Sequence, residues 1–305
     1  MQDAATALLE PTTPPAPAAH ERTGLRLVPV LWFAGIHLSC LAVIWVGVSP
    51  VAVLVGVLLY YARMFGLSAG FHRLLAHRAY DATPAFRTFI ATLGTAAIQK
   101  GPLWWASVHR HHHRYSDQPE DAHSPIQGGF WWSHIGWILA PRHSSTDVAR
   151  IPDLIKHRDL RFLERYYLLP GIVLGALTWA LGAWLGSAFP SLGTSGPQMF
   201  VWGMLVSTTV LYHGTWSVNS IVHLWGARPY HTTDYSRNNG LVALWTMGEG
   251  WHNNHHRYAA SERQGFRWYQ LDMSHMLLRA FSWVGLVSKL RAPTPAILAE
   301  GRRKH

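Results

Sequence analysis

Cysteine is nearly absent: the 305 residues contain one, Cys40, and it lies inside an apolar run. A disulfide framework and a cysteine-based zinc site are therefore excluded, and so is an iron–sulfur cluster held by the chain itself. Charge is scarce as well. Only 14% of residues are Asp, Glu, Lys or Arg, against about 25% in a typical soluble domain. Acids are the rarer kind, 16 against 26 Lys and Arg, for a formal charge of +10. Such a balance can signal nucleic acid, but the cations are dispersed between apolar runs, with no dense basic helix or RNA-binding signature. No nucleic-acid partner is expected. Residues 1–22 have almost no large apolar side chains and are rich in Ala, Pro and Thr. That stretch cannot bury enough surface to offset its ordering entropy, and is expected to form a disordered N-terminal tail. It also lacks the basic start and apolar core of a signal peptide.

What the chain does have is apolar surface: 49% hydrophobic residues, with 16 Trp and 11 Tyr, an aromatic load suited to membrane interfaces. Four runs, at about 25–48, 51–70, 167–187 and 198–222, are long and apolar enough to cross a bilayer at ~1.5 Å per residue. Ser49-Pro50 breaks the first pair, and Pro190, Gly193 and Gly196 break the second, so each pair makes a hairpin. Arg63 falls within the second run. A cation there must snorkel or meet a polar partner. The run at 86–98 is too short to span and reads as re-entrant or interfacial. Residues 142–165 carry mixed charge and read as an aqueous-side helix, and 268–290 as a helix lying on the surface. The expected architecture is an all-α integral membrane protein: a domain over 23–290 with four transmembrane helices in two hairpins and a cytosolic helical cap, then a basic C-terminal tail at 291–305 that includes Arg302 to Lys304. The two far-side connections, 47–50 and 188–197, contain no Lys or Arg. The positive-inside tendency then puts the termini on the cytoplasmic side.

The 20 histidines are not scattered evenly. His252, His255 and His256 stand at i, i+3 and i+4, as do His109, His112 and His113, a spacing that turns side chains toward one face of a helix. His72 and His77 close the second apolar run, and His223 ends the fourth, where Thr215, Asn219 and His223 form a polar stripe. These nine imidazoles gather on one side of the membrane. Neutral imidazole is a common ligand for iron, zinc or copper. Nine exceed what one ion needs, so two ions are the economical reading, and histidine-rich coordination suits redox iron better than a structural site. The remaining histidines have no partner spacing. His37 and His213 are expected to be hydrogen-bonded packing residues, and His111 to point away from its neighbours. His20, His123, His134, His143, His157, His231, His275 and His305 are read as bystanders, with His123 and His134 near enough to the second cluster to support its ligands.

The segments His72-Arg-Leu-Leu-Ala-His77, His109-Arg-His-His112-His113 and His252-Asn-Asn-His255-His256 resemble the three histidine boxes of membrane-bound fatty acid desaturases. Gly70-Phe-His72-Arg, His113-Arg-Tyr-Ser-Asp117, Trp131-Trp-Ser-His-Ile-Gly-Trp137, Asn219-Ser-Ile-Val-His223-Leu and Gly248-Glu-Gly-Trp-His252 are similar to the stearoyl-CoA (delta-9) branch in its bacterial form. The likeness runs over about residues 25–290. It implies a histidine-box di-iron site with two iron ions held by His72, His77, His109, His112, His113, His223, His252, His255 and His256. Asn219 would act through a water, and Glu249, Trp251 and Asp121 would orient the imidazoles. The implied reaction puts a cis double bond, at the ninth position, into a saturated acyl chain with O2 as co-substrate. Two electrons come from an external ferredoxin or cytochrome b5-like donor docked on the cytoplasmic face. The implied setting is a bacterial inner membrane, with membrane lipid around the spans and a bent apolar tunnel for the substrate. Two departures bear on the carrier. Ser107-Val108 stands where animal members have Arg-Asp, and Ile126-Gln127 where they have a basic pair near the coenzyme A head group. Acyl-CoA ranks first, ahead of acyl carrier protein and lipid esters. A hydroxylase, epoxygenase or acetylenase would use the same site. A metal transporter would need ligands spread along a path through the spans, whereas these lie on one side.

Overall fold

The computed structural model describes residues 25–142 and 144–301. The expected 1–22 tail, the basic residues Arg302 to Lys304, and His20, His143 and His305 lie outside them. The chain is mostly helical. Among the described residues, three helices are long and apolar enough to cross a membrane: α1, Leu27–Val46; α2, Pro50–Ala76; and α6, Leu169–Ala188. Between them come α3, Pro84–Thr95, α4, Pro102–Tyr115, and α5 at 132–139. Then follow α7 at 196–224, α8, His252–Arg257, and α9, Met273–Trp283.

Local chemistry explains most of the boundaries. Ser49 accepts a hydrogen bond from Ala52 N at 3.1 Å with Pro50 in the first turn, and Thr83 accepts from Phe86 N before Pro84; both are capped starts with proline where its missing N–H costs nothing. Helix α4 has no capping side chain at Gly101. Its free N–H groups at Leu103 and Trp104 instead donate to Glu164 Oε2, at 2.9 and 3.1 Å. That carboxylate comes from the expected aqueous-side segment, which is α-helical over Arg158–Arg165 with a short 3-10 turn at Val148–Arg150. Helix α1 leaves Leu31, Leu38 and Ile44 largely exposed, a surface that suits lipid and not water.

The fourth expected span differs from the others. Helix α7 runs unbroken, yet it is not among the helices apolar enough to cross a membrane. Its polar residues are used inward. Arg63, fully buried in α2, donates to Thr208 Oγ1 at 2.6 Å and Ser207 Oγ at 2.5 Å, both on α7, and to the Leu59 carbonyl oxygen at 3.0 Å. It meets polar partners and does not snorkel.

The last eleven residues of α2, Gly66–Ala76, wind as a π-helix. This segment crosses α3 at very close range, because a Cβ on Gly66 would lie 2.2 Å from the backbone nitrogen of Gly94. Gly66→Ala is expected to cost about 1–3 kcal/mol by forcing the two helices apart. A thermal melt in detergent that matches the parent protein would show that the crossing has slack.

Candidate metal centre

The π-helix positions the first two histidines. Residues five apart stand about 140° from each other around an α-helix, so His72 and His77 would diverge. In the π-helix an i→i+5 bond, His77 N to the His72 carbonyl oxygen at 3.1 Å, stacks one above the other. Their ring centroids are 4.8 Å apart.

The nine histidines form two groups, His72, His77, His109, His113 and His255 in one, His112, His223, His252 and His256 in the other. In each group one ring nitrogen per residue lies within 4.8 Å of the rest. The i, i+3, i+4 spacing therefore does more than mark one face. In α4 the i, i+4 pair His109 and His113 serves the first group and His112 the second. In α8 the assignment is reversed, with His252 and His256 serving the second group and His255 the first. Each short helix is wedged between the two groups. His223, from the end of α7, completes the second.

The fit to metal can be judged from the ring nitrogens. His72 Nε2 is 3.0 Å and His113 Nε2 is 2.9 Å from His255 Nε2. His77 and His109 meet through Nε2 at 2.8 Å, and His223 and His252 at 3.1 Å. One proton can bridge only two of these atoms, so His255 cannot satisfy both neighbours by hydrogen bonding. Separations near 3 Å match adjacent ligands about 2.1 Å from a shared centre. His256 Nε2 is buried without a hydrogen-bond partner. Burial first, and then the neighbouring imidazoles, push His109, His113, His252 and His255 well below the ordinary histidine range. Their lone pairs are therefore free at neutral pH. The donor set fits.

Four imidazoles are held from behind by carboxylates. Glu249 Oε2 lies 2.5 Å from His72 Nδ1, Asp121 3.0 Å from His112 Nδ1, Asp117 Oδ2 2.8 Å from His223 Nδ1, and Asp234 Oδ2 2.6 Å from His256 Nδ1. With Nδ1–H donated backward, Nε2 offers its lone pair to the centre. Burial alone would raise the carboxyl pKa of Asp121, Asp117 and Asp234. The facing histidines and N–H donors hold all three below the usual range. Asp117 and Asp234 escaped the sequence reading. Asp117 at least lies in the His113-Arg-Tyr-Ser-Asp117 motif, but Asp234 has no spacing to betray it. Glu249, three residues before His252, also accepts from Ser68, from Arg73 Nη2 at 3.0 Å and from Gln264 Nε2 at 3.0 Å, so its oxygens are occupied by donors.

Trp251 directs its indole N–H to the Leu271 carbonyl oxygen at 2.8 Å and not to an imidazole. His111 Nε2 faces the Glu120 carbonyl oxygen at 2.9 Å, outside both groups. His123 packs on His112, centroids 4.4 Å apart, whereas His134 bonds to Ser220 Oγ at 2.9 Å and His213 at 3.0 Å. His37 and His213 pair at 3.0 Å.

An apolar cavity of about 320 Å³ runs up to the centre, walled by Trp104, Trp137, Tyr212, Trp216, Val108 and Ile138. It shares Trp105, His109, His123, Thr215 and Asn219 with a smaller cavity of about 50 Å³ that is also lined by His72, His112 and His252. Where the two meet, Gln99 Nε2 donates to Thr215 Oγ1 at 3.0 Å.

Residues 29–283 match the family model described as fatty acid desaturase. The chain is 36% identical over 277 residues to an sn-1 stearoyl-lipid 9-desaturase of Anabaena variabilis, covering 90% of this chain and 97% of that one. It is 35% identical over 276 residues to an acyl-CoA C20 Delta5-desaturase of Anemone leveillei, with 87% and 81% covered. A Synechocystis sn-1 stearoyl-lipid 9-desaturase is 34% identical over 273 residues, with 88% and 81% covered.

Proposed function

The chain belongs to the fatty acid desaturase family, and from that premise we propose that it inserts a cis double bond at the ninth position of a saturated acyl chain. The observation that carries this reading is the division of nine histidines into groups of five and four beside an apolar cavity. A saturated chain, O2, two electrons and two protons give the unsaturated chain and two waters. Two irons, when bound, supply the O2-dependent oxidising chemistry that an unactivated methylene requires. The first would be held by His72, His77, His109, His113 and His255, the second by His112, His223, His252 and His256, with Asn219 beside them through a water.

The protein's share is placement. Indole walls exclude water and hold the chain, and the Gln99–Thr215 bond ties the loop after α3 to α7 where the cavity reaches the histidines. Glu249, Asp117, Asp121 and Asp234 keep the ring nitrogens aimed. An external ferredoxin or cytochrome b5-like donor delivers the electrons, and α7 serves as a fourth span whose polar side faces the other helices. The centre then lies on the cytoplasmic side of an inner membrane. The relatives' names divide between acyl-CoA and lipid-bound chains, so the ninth position and the carrier are separate questions.

Expression with a generic electron donor, followed by double-bond mapping of host lipids, tests the reaction. New cis-9 chains together with about two irons per chain are expected; hydroxylated products or zinc with no O2 consumption would overturn the reading. Asp234→Asn should weaken the hold on His256 and lower iron affinity about 10–100-fold, as measured by competition with a chelator.

A further inference from the structure

The cavity's walls are not equally buried, and the difference locates its open end. Trp104, Val108, Tyr212 and Trp216 are at most 7% exposed, whereas Val28 is 77%, Trp32 48%, Leu168 40% and Tyr167 37% exposed. The exposed four belong to the foot of α1 and the turn that enters α6. Both helices are long and apolar enough to span a membrane. An opening set between the same-side ends of two such helices, and rimmed by Val, Leu, Trp and Tyr, faces the edge of the bilayer. Tyr and Trp suit that depth.

The charge along the cavity wall is sparse. Among the described residues, Lys100 is the only Lys or Arg in the lining, and the lining has no acid. Its ammonium donates to the Ser144 carbonyl oxygen at 2.8 Å and lies 4.2 Å from the centre of the Trp104 ring. Burial, and then Arg26 nearby, bring Lys100 down to about 8. Coenzyme A brings a diphosphate and a further phosphate, a polyanion that calls for several cations at the mouth. A glycerolipid offers ester carbonyls and at most one phosphate, which one ammonium and Arg26 beside it can meet at headgroup depth.

We propose that the acyl chain arrives as an ester of a membrane glycerolipid and enters sideways between the foot of α1 and the start of α6, with Lys100 at the headgroup. This rests on the reading of the cavity as the acyl site, and it reverses the ranking of carriers made from the sequence. Lipid chains reach the mouth by diffusion in the bilayer and need no aqueous docking surface.

The test uses the full chain, loaded with iron and supplied with a reduced donor, in vesicles of 1-stearoyl phosphatidylethanolamine and phosphatidylglycerol, against added stearoyl-CoA or stearoyl-acyl carrier protein. Double bonds in the vesicle lipid are expected to form at least about tenfold faster than in either soluble pool. Product confined to the CoA or carrier-protein pool overturns this proposal and leaves the desaturase reading standing. Product from no pool overturns both. Val28→Trp should cut the vesicle rate at least about tenfold with bound iron unchanged, whereas Leu38→Trp, on the same helix but outside the cavity lining, should keep it. Independently of turnover, a phospholipid with a photoreactive group along its sn-1 chain should crosslink to iron-free protein at Trp32 or Leu168. Val28→Trp should suppress that crosslink, and crosslinks confined to the outer face of α1 would count against the mouth.

Discussion

His255→Ala is expected to abolish turnover, by a factor of at least about 100, and to reduce bound iron from about two per chain toward one. The reason is its central place. Its Nε2 stands 3.0 Å from His72 Nε2 and 2.9 Å from His113 Nε2, so it joins box residues from α2, α4 and α8 in one group. It is buried, and alanine leaves a void in place of that ring nitrogen. The paired control is His111→Ala. This residue sits in the middle of the second box, yet its ring faces the Glu120 carbonyl oxygen at 2.9 Å, and most activity should survive its loss. Iron content and double-bond yield, measured on both variants, decide the matter. Equal losses in the two, or two irons retained by His255→Ala, would falsify the division of labour within the boxes.

Glu249→Ala should be the most damaging change among residues outside the nine histidines. One oxygen of Glu249 accepts from Ser68, which bonds in turn to Ser274, and from Arg73; the other faces His72 Nδ1 and Gln264. Arg73 is fully buried and also pairs with Asp272 at 3.0 Å. Removing one member of a buried charge network leaves its partner uncompensated, which costs about 3–5 kcal/mol. The same change frees the His72 ring, so iron affinity should fall along with stability. Glu249→Gln separates the two effects. It keeps the volume and one acceptor oxygen, and should recover more stability than iron affinity. Chemical denaturation in detergent and chelator competition read the two quantities apart, and equal recovery of both would mean that Glu249 acts only through packing.

Much of the histidine grouping was legible in the chain. The i, i+3, i+4 histidines are local, helix geometry is periodic, and nine clustered imidazoles have few uses other than metal. The polar stripe Thr215, Asn219 and His223 was readable for the same reason, since one helix carries all three. Three helices long and apolar enough to span show in composition alone, because the bilayer demands a long unbroken apolar run. The fourth run, 198–222, was read as a span from its apolar composition, but its helix is not among those apolar enough to cross, and its Ser207 and Thr208 turn inward to Arg63.

What spacing could not settle was the sharing of ligands. Two helices supply i, i+4 pairs to opposite groups, and that depends on how α4 and α8 are wedged together. Nor does any local pattern announce that Asp234 backs His256 from 22 positions upstream, or that Asp117 backs His223 from 106 away. Carboxylate partners are chosen by contact between distant segments, and a lone Asp in a loop looks like any other. The cavity is the extreme case. Its walls come from α1, α4, α5 and α7 and from the turn before α6, so its mouth exists only after those elements pack. The histidine pattern was written in residues a few positions apart; the cavity beside it was decided by helices far apart in the chain packing together.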